Sequence, residues 1–85
     1  MNLEQIESRL LAILDGFDGY FPAGQLEDMQ SLVIAGEPGV ALENFCTQLY
    51  EYEICVSAAT VKELSDLGAA MGIRPDYWSR FVVSD

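Results

Sequence analysis

Histidine does not occur in this chain of 85 residues, and cysteine appears only at positions 46 and 55. The side chain that most often serves as a general base near neutral pH, and most often holds zinc, is therefore missing. Cys46 and Cys55 are too few for a disulfide scaffold and lack metal-ligand spacing, so both are expected to be buried free thiols, with no metal and no cofactor. No apolar run approaches the ~18 residues of a membrane span. The opening Met1-Asn2-Leu3-Glu4 lacks the positive flank of a signal peptide, so a cytoplasmic protein with no membrane contact is expected.

Positive charge is equally scarce. Four Lys and Arg stand against 14 Asp and Glu, for a formal charge of −10, and no base lies between Arg9 and Lys62. That interval holds Asp15, Asp18, Glu27, Asp28, Glu37, Glu43, Glu51 and Glu53. Such a field repels nucleic-acid phosphates, attracts cations and basic proteins, and also keeps a surface well solvated.

What remains is a chain with 51% apolar residues, enough for one core, and residues 1–85 read as one small helical domain. Leu3, Ile6, Leu10, Ile13, Leu14 and Phe17 form a stripe at the helical period, predicting a first helix. "GFDGYFPAG" then interrupts it, as a loop whose Phe17, Tyr20 and Phe21 fold back over the core. Leu26, Met29, Leu32 and Val33 mark a second helix ending near Gly36; Ile34 falls off that stripe and is expected to cover the adjacent "GEPG" corner, the alternative being an exposed apolar contact for a partner. In the third helix Leu42, Phe45, Cys46 and Leu49 share one face, with Glu43, Asn44, Thr47, Gln48 and Glu51 opposite.

The segment "LYEYEI", Leu49 to Ile54, alternates like a strand but extends this helix, and Glu53 would land among its core positions, so the helix must stop at about Tyr52 or Glu53. Ile54 to Val56 then run extended to Ser57, an N-cap for a fourth stripe of Val61, Leu64, Leu67, Gly68 and Met71, in which Gly68 leaves room for another helix and Lys62 can pair with Asp66. Gly72 ends that helix, and Pro75 opens a short fifth one carrying Tyr77, Trp78 and Phe81. The expected fold is all-α: a small bundle of four main helices plus a short C-terminal helix.

Chemical motifs are not found. An EF-hand loop starting at Asp15 would place Phe17, Tyr20 and Leu26 where it needs an acid, a glycine and a glutamate. Ser31 follows Gln30, not the aspartate of the acyl-carrier Asp-Ser-Leu motif, and sits within a helix. There is no phosphate-binding glycine loop and no nucleophile elbow, so no enzyme is expected.

One resemblance is more specific. Gly36, Glu37, Pro38 and Gly39 at the corner, Ala41 to Asn44 on the helix, and Cys46, Gln48, Leu49, Tyr50 and Glu51 after it resemble the MafI-type immunity proteins. These are small acidic helical proteins of bacteria that carry secreted or contact-delivered polymorphic toxins. Ser57, Leu67-Gly68 and Met71-Gly72 extend the likeness to roughly residues 26–73, and it is weaker outside them. The resemblance implies a cytoplasmic inhibitor of a cognate toxin C-terminal domain, in many such systems a nuclease with a basic groove. Gly39, Leu42, Cys46 and Leu49 would build the fold, while Glu43, Tyr50, Glu51, Tyr52 and Glu53 form the candidate toxin-binding set. A competing reading is an acidic helical adaptor or oligomerisation module, self-associating through Tyr77, Trp78 and Phe81.

Overall fold

The computed structural model describes residues 1–81 and 83. Its elements are α1 (Leu3–Asp15), α2 (Gln25–Ile34), α3 (Pro38–Glu51) and α4 (Ala58–Ala70), followed by a 3₁₀ turn at Pro75–Tyr77. The fold is the expected all-α bundle, with the short C-terminal helix reduced to that single turn.

Local chemistry sets the starts. Asn2 caps α1 reciprocally: the Gln5 N–H donates to Asn2 Oδ1 at 2.8 Å, and the Asn2 N–H donates to Gln5 Oε1 at 3.0 Å. Ser57 caps α4, its Oγ accepting from the Thr60 N–H at 3.1 Å. Pro38 begins α3, inside the GEPG corner, at the position where its missing N–H costs nothing.

α3 is the hub, in contact with the other three helices and the 3₁₀ turn, whereas α2 and α4 flank it without touching each other. It therefore buries more than its sequence stripe. Ala41 and Gln48 join Leu42, Phe45, Cys46 and Leu49, widening the buried arc to roughly 160° of the helix. Gln48, expected on the solvent side, is only 7% exposed. Its amide donates to Asn44 Oδ1 at 2.9 Å and Gln25 Oε1 at 3.2 Å, while its own Oε1 has no hydrogen-bond partner among the described residues.

The buried residues form one core, with Leu10, Leu14, Met29, Phe45 and Leu64 among those fully enclosed. The α1–α2 loop closes over it with two of the three rings expected to do so, Tyr20 being the exception: Phe17 and Phe21 meet the Phe45 ring edge-on at centroid distances of 5.3 and 5.9 Å. Tyr20 lies on the outside, edge-on to Phe17.

Four other expectations are corrected. Leu3 is exposed at the free end of its helix. Ile34 is 77% exposed, because α2 ends there and the chain turns away without covering it. Cys46 is buried but Cys55 is exposed, in the extended link before Ser57. Gly68 does face the interior, yet its neighbour is the Trp78 indole, not another main helix. Trp78 is 8% exposed, and Tyr77 and Phe81 pack against the core beside it. A parallel bridge between Val56 and Val83 holds the chain on the far side of Phe81. Among the described residues no helix is long and apolar enough to cross a membrane.

Candidate functional site

Three helices finish with the same six-residue hydrogen-bonded turn. In α2 the Glu37 N–H donates to the Leu32 carbonyl and Gly36 N–H to that of Val33; in α4 Ile73 and Gly72 donate to Gly68 and Ala69. Gly36 and Gly72 carry the left-handed residue of this motif, with φ of 87° and 71°. At the end of α3 the bonds recur, Ile54 to Leu49 and Glu53 to Tyr50, but the left-handed residue is Glu53, with φ of 51°. It is the one non-glycine residue with positive φ among those described. The stop expected from the sequence is thus real, and the reversal turns Glu53 out of the core arc into solvent.

A glutamate in this conformation costs about 1 kcal/mol more than glycine would. Glu53→Gly is therefore expected to raise the unfolding free energy by about 1 kcal/mol, measured as an increased urea midpoint with unchanged slope. An unaltered or lowered midpoint would mean that the carboxylate has a stabilising partner.

Tyr50, Glu51 and Glu53 come together around a cleft of about 270 Å³, floored by Leu49 and Ile54. The sixth residue of its wall is Arg80, whose guanidinium carbon stands 4.3 Å from the Tyr50 ring centroid. The stretch that lacks bases in sequence therefore acquires one in space. Spacing along α3 could not reveal this; the only sequence signal is that Trp78 and Phe81, packed as core residues, carry Arg80 back with them.

The other two candidates are not in the cleft. Glu43 lies two turns earlier on the Tyr50 edge of α3, half-buried, with Thr47 between them donating its hydroxyl to the Glu43 carbonyl at 2.8 Å. Tyr52 points away, its ring half exposed and edge-on to Phe21 at 6.4 Å. It belongs to the α1–α2 loop surface, and does not anchor the helix end as Leu49 does.

Burial pushes the Cys46 thiol up to about 12, with Arg80 opposing that shift, so it remains protonated at neutral pH. Among the described residues no three acidic or cysteine side chains converge to hold a metal. A larger concavity of about 540 Å³ lies between the end of α1 and the start of α4, with Tyr20, Cys55 and Glu63 on its wall. Lys62 and Asp66 form the only ion pair among the described residues, at 3.3 Å, leaving the acids of the cleft without a carboxylate-to-base bridge. The chain matches no family model, no curated protein and no solved structure.

Proposed function

We propose that this chain is a MafI-type immunity protein, a non-enzymatic stoichiometric inhibitor that binds a cognate bacterial toxin domain in the cytoplasm of the producing cell. The observation that carries the reading is the cleft at the end of α3, where the ring and two carboxylates of "LYEYE" face solvent together in the part of the chain that resembles that family. Tyrosine offers broad contact area at low entropic cost, and carboxylates pair with arginine in a fork geometry. The strained Glu53 supports the same reading, since the chain holds a carboxylate where glycine would cost less. A toxin with a basic groove, such as a nuclease, complements this face by charge.

The adaptor or oligomerisation reading has less support. The rings it relies on, Tyr77, Trp78 and Phe81, are packed against or within the core.

Co-expression with the toxin domain encoded beside the gene is the direct test. Growth should be restored, and the purified pair should associate at a rate that falls steeply between low and physiological salt while dissociation changes little. Absence of rescue would refute the immunity reading; rescue with a salt-independent association rate would remove its electrostatic part and leave shape alone.

A further inference from the structure

We propose that Arg80 is an internal occupant of the Tyr50–Glu51–Glu53 cleft, and that an arginine side chain of a basic protein partner binds there by taking its place on the Tyr50 ring. The inference rests on reading this face as the partner-binding face, and specifies what the cleft recognises.

The arrangement already contains a guanidinium stacked on a tyrosine, in a cleft bordered by two carboxylates that make no ion pair in the described residues. A planar cation with five donors suits an aromatic face flanked by carboxylates better than an ammonium does. Arg80 is held there lightly. It is solvent-exposed and has no ion-pair partner among the described residues, and the side chain it stacks on is the Tyr50 ring.

The backbone that presents it is held firmly. Trp78, two residues before, is buried against Gly68, and Val83, three residues after, bridges to Val56. Only the Arg80 side chain needs to swing for the ring to be freed, without undocking the C-terminal segment. The site is therefore kept partly filled by a weak ligand of its own. A partner's apparent affinity is reduced by the fraction of molecules in which Arg80 occupies the ring.

The test uses the full-length protein and a nona-arginine peptide as probe. Arg80→Ala is compared with Arg9→Ala, which removes the same charge from α1 outside the cleft. Arg80→Ala should bind the peptide about two- to fivefold more tightly than Arg9→Ala, the range set by an exposed cation–π contact. In the wild type, NMR should show the Arg80 side-chain signals moving to solvent-exposed values as peptide is added, while the Tyr50 ring stays shifted by a guanidinium. Adding Tyr50→Leu to Arg80→Ala should abolish the gain. An unchanged emission from Trp78 verifies that the C-terminal turn stays docked in each variant.

Equal tightening by the two arginine variants would overturn the inference. So would a peptide that shifts Tyr50 while Arg80 keeps its place, or one that leaves Tyr50 untouched. None of these results bears on growth rescue by the full protein, which tests the immunity reading separately.

Discussion

Gly68→Ala should destabilise the fold by about 1–3 kcal/mol, the usual range for overpacking, although alanine in place of glycine inside a helix ordinarily gains about 1 kcal/mol. A Cβ at Gly68 would stand 2.2 Å from both Cη2 and Cζ3 of Trp78. An indole ring cannot yield by the distance needed, so either α4 moves or the ring leaves its seat. The chain has a single tryptophan, which makes the outcome visible. Its emission should shift to the red, and the urea midpoint should fall. Trp78→Phe in the Gly68→Ala background, with a smaller ring, should recover part of the loss. A Gly68→Ala variant more stable than wild type with unshifted emission would show that the ring is not seated where we describe it.

The second large effect separates neighbouring residues by face. Leu49 is 1% exposed, and Leu49→Ala should cost about 2–5 kcal/mol in stability, as deletion of a buried leucine does. Glu51, two residues on, is exposed, and Glu51→Lys should leave folding within about 0.5 kcal/mol. Against a basic toxin the same change should weaken binding by several kcal/mol, because it places like charges opposite each other. Denaturant titration and binding titration of the two variants would read the two effects independently. A Glu51→Lys protein that protects cells fully at unchanged affinity would exclude the α3 end as the contact surface, and the concavity bearing Tyr20 would be the next to examine.

What could be read from the sequence was local. The stripe from Ile6 to Leu14, the Ser57 cap and the stop after Glu51 each depend on residues within a turn or two of one another, where periodicity and capping chemistry act. What could not be read was which neighbour covers which side. Gln48 looks solvent-facing on a wheel of α3 alone, and only the seating of α2 encloses it. Gly68 announces a close approach but not by what. The candidate site divides in the same way: Tyr50, Glu51 and Glu53 line one cleft because they lie within a single turn at a helix end, whereas Tyr52 leaves the group through its contact with Phe21. Arg80 enters it through the tail's return, which spans some thirty residues of chain.

The chain has 14 acids and four bases, and among the described residues they form a single ion pair, Lys62 with Asp66. With a formal charge of −10, two copies of the chain carry the same net sign. Two copies approaching through their acidic sides repel at separations up to about 8 Å, the Debye length at physiological ionic strength. The field that would draw in a cationic protein thus also keeps copies of the chain from one another. Discrimination between partner and self would then begin at a distance, before any surface has touched.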